Sequence, residues 1–369
     1  MTEWIECTLD KLGEIVGGAT PSTKCEDYYG GSIPWITPKD LSSFKGRYIT
    51  SGERNITEKG LASCSAQMMP KDAVLFTSRA PIGYVAIASQ SVCTNQGFKS
   101  IVVNEKADPL FVYYLLKYNK DAIEAMGSGT TFKEVSGKTM RAVKVRIPLD
   151  VSYQNRIAAV LDSLDTKIEN NERINDNLQQ QAQAIYSSMF IDNPDPAWSH
   201  GHLSDLITVK YGKDHKKLAD GIYPVYGSGG IMRYVERPLY NKESVLIPRK
   251  GTLNNVMYVN QPFWSVDTMF YTEMKLPNVA KFVYHFVKAK DLVSMNAGSA
   301  VPSMTTDILN AMEVVIPSAS ALEEFESLVA PMYEAMEAND VQSKALSQMR
   351  DTLLPKLMSG EIDVSAVQL

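Results

Sequence analysis

The chain has 369 residues, of which 44% are hydrophobic and 21% charged, and its formal net charge is -5 at pH 7. This length predicts two domains that each bury a core, and the composition is that of a globular protein. The sequence contains no apolar run near the about 18 residues of a membrane helix, and its first residues lack the order of a signal peptide. We therefore expect a cytosolic protein without a membrane segment.

Charge is unevenly distributed along the chain. Residues 1–150 hold 18 basic and 16 acidic side chains, and residues 194–317 hold 13 and 11. The segments 151–193 and 318–369 are acidic, with 3 basic against 6 acidic and 3 against 9. Two mildly basic blocks therefore alternate with two acidic ones, which is only weak support for binding a polyanion.

In the first block, residues 1–150, we predict short strands and one helix with aromatic side chains inside. In chain order we predict extended residues 33–36, a strand at 74–78 that ends at Arg79, a strand at 84–87, a helix at 110–118, a glycine turn at 127–130 and a closing strand that ends at 147–148. Short strands with one helix predict an α/β (α+β) domain with irregular sheet edges rather than a doubly wound sheet.

A long amphipathic helix is predicted over residues 152–189 of the acidic segment 151–193. Its apolar seam has the three- and four-residue spacing of a coiled coil. The seam consists of Ile157, Leu161, Leu164, Ile168, Asn171, Asn175, Leu178, Ala182, Ile185 and Met189. Two prolines, Pro194 and Pro196, end the helix.

The second block, residues 194–317, repeats the order of the first. Extended residues 223–226 precede a strand at 245–248 that ends at Arg249, a strand at 256–259, a helix at 279–288, a Gly-Ser turn at 298–299 and a closing strand into 316–317. Arg79 and Arg249 are 170 residues apart, so we predict that they end equivalent strands.

A second long helix is predicted in residues 318–369, from a capping box at Ser320 and Glu323 to about residues 355–360. Pro331 falls early in it and predicts a kink. Its seam lies 168 residues, a whole number of heptads, after the first, and Asn339 corresponds to Asn171. A buried asparagine in such a seam fixes register. The sequence thus predicts duplicated domains joined by two long antiparallel coiled-coil helices, with pseudo-twofold symmetry.

Several motifs carry a family resemblance. They are IPWITPKDL at 33–41, LFTSRAPIG at 75–83, CTNQGFKSI at 93–101, Gln154-x-x-Ile157 and LLPKLMSGEIDV at 353–364. With these motifs the sequence resembles the specificity subunit of type I restriction-modification enzymes over essentially its whole length. The second copy departs from the pattern, because residues 317–322 lack the glutamine and only Pro248-Arg249-Lys250-Gly251 remains of the Ser-Arg-Ala-Pro motif.

The resemblance implies a non-catalytic DNA-recognition subunit. Each block would be a target-recognition domain that reads one half of a split sequence in double-stranded DNA, and the helices would space the domains and dock two modification (methyltransferase) subunits for adenine methylation. S-adenosylmethionine would then be used by those partners, and ATP and Mg²⁺ by optional restriction (nuclease-translocase) subunits. We expect no cofactor and no metal in this chain.

The residues themselves offer no catalytic motif. An adenine methyltransferase needs an Asn-Pro-Pro-Tyr/Phe pocket for the flipped base, and Asn193-Pro194-Asp195-Pro196 has a carboxylate where the aromatic ring should be. This absence agrees with catalysis by partner subunits.

Candidate DNA contacts were chosen by side-chain chemistry, since Arg and Lys suit phosphates and guanine, and Asn, Gln, Ser and Thr suit adenine or the backbone. Arg79 and Arg249 are the leading pair. The other candidates in the first block are Thr77, Ser78, Asn95, Gln96, Lys99, Ser128, Thr130 and Lys133, and those in the second are Lys213, Lys216, Lys217, Lys250, Thr252 and Ser299.

Two further interpretations remain open. The chain could belong to a related system whose partner fuses the methylase and the nuclease, or it could be a coiled-coil interaction protein that no longer binds DNA. A neighbouring gene for an Asn-Pro-Pro-Tyr/Phe methylase would exclude the last, and a neighbouring translocase gene would favour the type I system.

Overall fold

The structure is a computed structural model that describes residues 3–129, 133–295 and 303–367. Contacts divide the chain into two compact units, the first made of Met1–Glu172 with Asp340–Leu369 and the second of Arg173–Asn339. Two long helices, α6 (Val151–Ser187) and α10 (Ala319–Ser359), contribute residues to both units.

The first unit is a mixed α/β structure. Its strands are β1 (Trp4–Thr8), β2 (Gly13–Gly17), β3 (Tyr29–Ile36), β4 (Tyr48–Ile49), β5 (Arg54–Ile56), β6 (Val74–Ser78), β7 (Ile82–Ala88), β8 (Cys93–Thr94), β9 (Lys99–Val103) and β10 (Lys144–Pro148). Its helices, besides its part of the long pair, are α1 (Pro38–Ser42), α2 (Glu58–Ala62), α3 (Pro109–Tyr118), α4 (Lys120–Ala125) and α5 (Gly137–Arg141).

The main sheet of the first unit has the strand order β2-β9-β6-β7-β4. Strand β6 lies in its centre, and all five of its residues are buried, so this strand is covered on both faces. Helix α3 packs into the same core, with Phe111 and Leu116 fully buried. A three-stranded sheet, β5-β3-β8, and the antiparallel pair β1-β10 complete the unit.

The second unit has its own strands and helices. The strands are β11 (Ser199–His202), β12 (Ile207–Tyr211), β13 (Asp220–Gly227), β14 (Gly230–Val235), β15 (Ser244–Pro248), β16 (Met257–Val259), β17 (Trp264–Ser265), β18 (Met269–Met274) and β19 (Glu313–Ile316). The helices are α7 (Leu203–Leu206), α8 (Ala280–Lys288) and α9 (Thr306–Asn310), besides its part of the long pair.

The second unit repeats the sheet topology of the first. Its main sheet runs β12-β18-β15-β16, and strand β13 pairs antiparallel with β14 and parallel with β17, as β3 does with β5 and β8. Each unit also has one antiparallel strand pair that joins its first strand to its last, β1 with β10 and β11 with β19. The predicted duplication of an α/β domain is therefore confirmed.

The two long helices are antiparallel in each unit. In the first, Arg350 Nη1 lies 2.7 Å from Asp165 Oδ1, and Asn171 Nδ2 lies 3.1 Å from Ser343 Oγ. In the second, the rings of Tyr186 and Phe325 are 6.2 Å apart. Every residue of both predicted seams is buried or partly buried, so the heptad pattern is confirmed.

The predicted asparagines in the seams are confirmed as hydrogen-bonding groups. Asn171 is 1% exposed, and its Nδ2 also donates to Gln342 Oε1 at 2.9 Å. Asn339 Nδ2 donates to Asn175 Oδ1 at 2.8 Å, and Asn175 Nδ2 donates to the carbonyl oxygen of Met336. Because these amides meet only in one alignment, they select the register of the helices.

The start of α10 differs from the sequence prediction in one detail. The hydroxyl of Ser318, and not that of Ser320, accepts the first-turn hydrogen bond, from the amide of Ala321, so the cap lies two residues earlier. Helix α10 ends at Ser359, within the predicted range 355–360, and Pro331 lies inside it as predicted.

The buried amide of Gln154 joins helix α6 to the first unit. Its Oε1 accepts a hydrogen bond from the amide of Asp108 at 3.0 Å, and its Nε2 donates to the carbonyl oxygens of Lys106 and Pro148 at 3.2 and 2.9 Å. One side chain thereby pairs three backbone groups at a site with no exposed surface. This arrangement explains why a glutamine opens the helix in the Gln154-x-x-Ile157 motif.

The C-terminal motif packs on the first unit. Gly360 has a φ of +80°, and a Cβ there would lie 2.9 Å from the indole of Trp4. The hydroxyl of Tyr153 donates to Asp363 Oδ1 at 2.9 Å and accepts from the amide of Val364 at 3.2 Å. The turn after α10 therefore requires glycine for two reasons, backbone conformation and space.

Helix α8 is buried on nearly all sides in the second unit. Its His285 is 0% exposed, with Nδ1 2.8 Å from Gln183 Oε1 and Nε2 2.9 Å from the hydroxyl of Tyr333. These partners suit a neutral ring that donates from Nδ1 and accepts at Nε2. Burial lowers the pKa of His285 to about 4.

We expect Gln154→Leu to destabilise the first unit by about 2–4 kcal/mol, because three buried backbone groups lose their partner. Gln180→Leu, at an exposed position of the same helix, is the control and should change stability little. Urea unfolding followed by circular dichroism measures both. Equal unfolding midpoints for the two variants would show that the Gln154 hydrogen bonds contribute no stability.

Candidate nucleic-acid interface

Arg79 and Lys99 lie together at one end of the main sheet in the first unit. Arg79 follows β6 directly, and Lys99 opens the neighbouring strand β9. The side chain of Arg79 is 35% exposed, and its Nη1 lies 3.5 Å from Glu134 Oε2. Lys99 Nζ lies 3.7 Å from the other oxygen, Oε1, of the same carboxylate. We call Arg79, Lys99 and Glu134 the first-unit cluster.

The backbone around Glu134 is held against this end of the sheet. Ser128 and Glu134 exchange two backbone hydrogen bonds of 3.1 and 2.9 Å, and the amide of Val135 donates to the carbonyl oxygen of Ser78 at 3.0 Å. Ser128 and Lys133 are exposed on the same turn. Thr130, another candidate of this turn, lies outside the described residues.

Asn95 and Gln96 lie close to the first-unit cluster. The amide of Ser78 donates to the carbonyl oxygen of Gly97 at 2.7 Å, which places this turn beside the end of β6. Asn95 Oδ1 accepts from the amide of Gly97 at 2.8 Å, so this oxygen stabilises the turn. Gln96 is exposed, and its Oε1 accepts from the hydroxyl of Thr20.

Thr77 and Ser78 do not reach the surface. Both are 0% exposed. The Thr77 hydroxyl accepts from the amide of Tyr84 at 2.8 Å, and the Ser78 hydroxyl donates to the carbonyl oxygen of Gly97 at 3.2 Å. Because β6 is covered on both faces, its polar residues serve the sheet, and we remove these two from the candidate DNA contacts.

In the second unit, Arg249 lies over an aromatic ring. Its guanidinium carbon is 5.4 Å from the ring centroid of Tyr211, a distance typical of a cation–π contact. Arg249 Nη1 also donates to the carbonyl oxygen of Asp267 at 3.3 Å. Tyr211 itself is 52% exposed, so the ring and the cation form one accessible surface.

The sheet register shifts the predicted pairing of Arg79 with Arg249 by one residue. Thr77 pairs with Phe98 as Pro248 pairs with Met269. The amide of Arg249 donates to the carbonyl oxygen of Thr268, just as the amide of Ser78 donates to the carbonyl oxygen of Gly97. The carbonyl oxygen of Arg249 accepts from the amide of Met304, just as the carbonyl oxygen of Ser78 accepts from the amide of Val135. Arg249 therefore occupies the position of the buried Ser78, and Lys250 occupies that of Arg79.

Lys250 and Thr252 are exposed on the loop after β15. Between them, Gly251 has a φ of +84°, and a Cβ there would lie 2.6 Å from Ser228 Oγ. A glycine is therefore required where this loop passes the turn between β13 and β14. The loop is thus held by backbone constraints while its basic and hydroxyl side chains remain accessible.

The predicted lysines between β12 and β13 are exposed. Lys213, Lys216 and Lys217 all have solvent-facing side chains. The backbone is held near the sheet, because the amide of Lys213 donates to the carbonyl oxygen of Ser265 at 2.8 Å and its own carbonyl oxygen accepts from Trp264 Nε1 at 2.8 Å. Ser299, the remaining candidate of this unit, lies outside the described residues.

The described residues 3–129, 133–295 and 303–367 contain no group of three or more His, Cys, Asp or Glu side chains that could hold a metal ion. Within these ranges, none of the helices combines the length and the apolar character of a membrane span.

The family model for the type I restriction modification DNA specificity domain matches residues 1–180 and 197–325. The MjaIX specificity subunit of the type I restriction enzyme from Methanocaldococcus jannaschii is 32% identical over 408 aligned positions, which cover 98% of this chain and 94% of the relative. The chain belongs to the type I specificity subunit family. The expectation of a non-catalytic specificity subunit is confirmed, since the relatives are specificity subunits.

Two further similarities agree with this assignment. The EcoprrI specificity subunit of the type I restriction enzyme from Escherichia coli is 23% identical over 364 positions, covering 90% of this chain and 89% of that relative. The crystal structure of the type I restriction-modification S subunit from M. genitalium superposes with a TM-score of 0.62 at 18% identity, covering 96% of each chain. The latter likeness concerns the fold.

Sequence reasoning missed two features of this specificity subunit. Glu134 pairs with both cations of the first-unit cluster, but the sequence candidates were all basic or neutral polar side chains. Tyr211 ends a strand with its ring exposed beneath Arg249. A tyrosine at a strand end followed by Gly212 was the available signal, but only the sheet register shows that it meets Arg249.

We expect Arg79→Ala, Arg249→Ala and Lys250→Ala each to weaken DNA binding through its own half-site only. A side chain bidentate to guanine should cost about 1–3 kcal/mol and relax preference at one base pair. A phosphate contact should weaken all sequences alike and reduce the salt slope by about one unit.

These variants are measured in the assembled methyltransferase against DNA libraries randomised in one half-site. Lys144→Ala is the control, because it removes an exposed lysine from the β1-β10 pair. Wild-type affinity, preference and salt slope in all three variants would show that these residues are structural.

Proposed function

We propose that this specificity subunit reads a bipartite sequence in double-stranded DNA, one half with each unit, and positions methyltransferase subunits for adenine methylation. The observation that carries the proposal is the repeated main sheet, which in both units leads from its central buried strand directly into a basic loop. Arg79 follows β6, and Arg249 and Lys250 follow β15. Two similar basic surfaces in one chain suit a target that is read in two halves.

The proposed contact set consists of the sequence candidates that remain once the buried Thr77 and Ser78 are left out. Its cations would bind phosphates or guanine, and amides and hydroxyls would bind adenine or the sugar-phosphate backbone. The set for the first unit is Arg79, Asn95, Gln96, Lys99, Ser128, Thr130 and Lys133, and that for the second is Lys213, Lys216, Lys217, Arg249, Lys250, Thr252 and Ser299.

The chain divides by role into four segments. We assign recognition to residues 1–150 and 194–317, and spacing to residues 151–193 and 318–369. Helices α6 and α10 support the second role, because they are continuous over 37 and 41 residues and pair through an apolar seam. In each unit, apolar residues of α6 and α10 and residues of the main sheet belong to the same hydrophobic core, so the sheet packs directly on the helices.

The partners follow from the missing chemistry. Two modification subunits would bind S-adenosylmethionine and transfer its methyl group, and restriction subunits, where present, would use ATP and Mg²⁺. This chain would supply DNA binding and the position of the partners and would itself hold none of these groups.

We predict that the chain alone transfers no methyl group. Methylation-sensitive sequencing of the host genome with and without this gene first identifies the target. The purified chain is then incubated with that DNA and radiolabelled S-adenosylmethionine, alone and with the modification subunit. Label should enter the DNA only in the reconstituted complex. Turnover by the chain alone would contradict the proposed role, as would a host methylation pattern that does not depend on the gene.

The helices are also expected to set the number of unread base pairs between the half-sites. Seven residues inserted in both helices, after Glu172 and after Asn339, should lengthen the gap by about 10 Å, or about three base pairs. The half-sequences should stay the same. The control places the same seven residues after Asp195, in the exposed linker beyond α6. If the gap is unchanged in the double insertion, the helices do not set it.

A further inference from the structure

Glu134 is a feature that the proposed DNA contacts do not explain. A carboxylate at a surface meant for phosphate reduces the attraction, because like charges repel. Here it lies within 4 Å of both Arg79 and Lys99, two of the proposed contacts. Its presence there therefore calls for a role of its own.

The two oxygens of the Glu134 carboxylate contact different cations. Oε2 lies 3.5 Å from Arg79 Nη1 and Oε1 lies 3.7 Å from Lys99 Nζ, while the three side chains are 39%, 35% and 17% exposed in the order Glu134, Arg79, Lys99. Ion pairs this exposed contribute little to stability. Instead, the two ion pairs hold the long side chains of Arg79 and Lys99 toward the same carboxylate.

The fold, rather than the ion pairs, fixes the position of Glu134. Its backbone exchanges hydrogen bonds with Ser128, and the next residue, Val135, bonds to Ser78 in the central strand. These bonds hold the backbone of Glu134 at the end of the sheet, beside the backbones of Arg79 and Lys99.

The second unit lacks the carboxylate at the matching place. The amide of Met304 donates to the carbonyl oxygen of Arg249, just as the amide of Val135 donates to the carbonyl oxygen of Ser78. Ser303, which forms a β-bridge with Lys250, therefore occupies the position of Glu134. Phe270 occupies the position of Lys99, because Phe270 pairs with Tyr211 at the end of edge strand β12 and Lys99 pairs with Gly17 at the end of edge strand β2. Four positions can be matched between the units. In the first unit they are Ser78, Arg79, Lys99 and Glu134, with a summed formal charge of +1. In the second they are Arg249, Lys250, Phe270 and Ser303, with a summed formal charge of +2.

We propose that Glu134 is a positioning residue of the first recognition surface, which holds Arg79 and Lys99 in one arrangement and lowers sequence-independent attraction to phosphate. Binding by the first unit then depends more on base contacts than binding by the second. This inference rests on the proposed function, because it requires that Arg79 and Lys99 face DNA.

The test is Glu134→Gln in the full-length chain assembled with its modification subunit, which keeps the side-chain shape and removes the charge. We expect the plot of log affinity against log salt concentration to become steeper by about 0.9, because one more cationic charge is free to neutralise phosphate. At 0.1 M salt, this change corresponds to an about eightfold rise in affinity for DNA that lacks the first half-site. Affinity for the complete target should rise less, so discrimination falls. Glu134→Asp keeps the charge and should keep the wild-type salt slope.

Two more variants complete the design. Ser303→Glu adds the carboxylate to the second unit and should make the salt slope shallower by about 0.9. Glu58→Gln removes an exposed charge from α2 of the first unit and is the matched control. The inference is overturned if Glu134→Gln changes the slope no more than Glu58→Gln does, or if it weakens binding to all DNA at an unchanged slope.

Arg79→Ala and Lys99→Ala, measured alongside, separate this inference from the proposed function. If both leave DNA binding unchanged, the proposed contact surface is wrong and the role of Glu134 fails with it. If either weakens binding while Glu134→Gln matches its control, the contact surface stands and only the role of Glu134 is refuted.

Discussion

Burial of the apolar faces of the two long helices inside each unit is the interaction on which the rest of the structure depends. In the first unit Ile157 and Leu161 of α6 and Leu357 of α10 belong to the same core as the main sheet and α3. In the second, Tyr186 and Phe325 of the long helices pack with α8. Since neither core is complete without helix residues, each recognition sheet is built onto the helix pair rather than tethered to it. The basic loops at the sheet ends are in consequence rigidly related to the helices of their own unit.

Buried charges fix how each sheet meets the helices. Arg47, which is 5% exposed, places Nη1 2.6 Å from Asp162 Oδ1 and Nη2 3.1 Å from Glu169 Oε2, both on α6. In the second unit Lys281 lies 2.6 Å from Glu326 of α10 and 3.2 Å from Glu243. Such pairs gain little net stability, because desolvation offsets their attraction, but a misaligned helix would leave the cation unpaired. They therefore select one docking geometry in each unit.

The sequence was most informative where a periodic pattern repeats. The seams of α6 and α10, with Asn171 and Asn339 in them, could be predicted because every seventh residue must meet the same partner surface. Strands β3, β6, β7 and β10 of the first unit were predicted from apolar and aromatic segments, and so were β13, β15, β16 and β19 of the second. Arg79 and Arg249 were predicted from their places at matching strand ends, and Lys99 from its side-chain chemistry. The structure places Arg79 and Lys99 together and Arg249 at an exposed ring.

Other features depend on contacts that no local pattern encodes. Thr77 and Ser78 have the residue types of DNA contacts, but β6 is covered on both faces, so their hydroxyls bond within the fold. A one-residue shift in sheet register, set by hydrogen bonds to Gly97 and Thr268, decides that Lys250 and not Arg249 matches Arg79. Two of the three backbone partners of Gln154, at Lys106 and Asp108, are more than forty residues away in sequence.

His285 makes the two units unequal toward acid. The matching position in α3 of the first unit is Tyr114, whose hydroxyl donates to Asp165 Oδ2 at 2.8 Å and which burial keeps neutral by raising its pKa. His285 instead has a pKa of about 4 when folded and an ordinary value near 6.5 when the chain unfolds. Between these two values the unfolded chain binds the extra proton, so the contribution of His285 to stability is complete above about pH 6.5 and is lost as pH falls toward 4. Mild acid therefore loosens the second unit by a route that the first unit does not share.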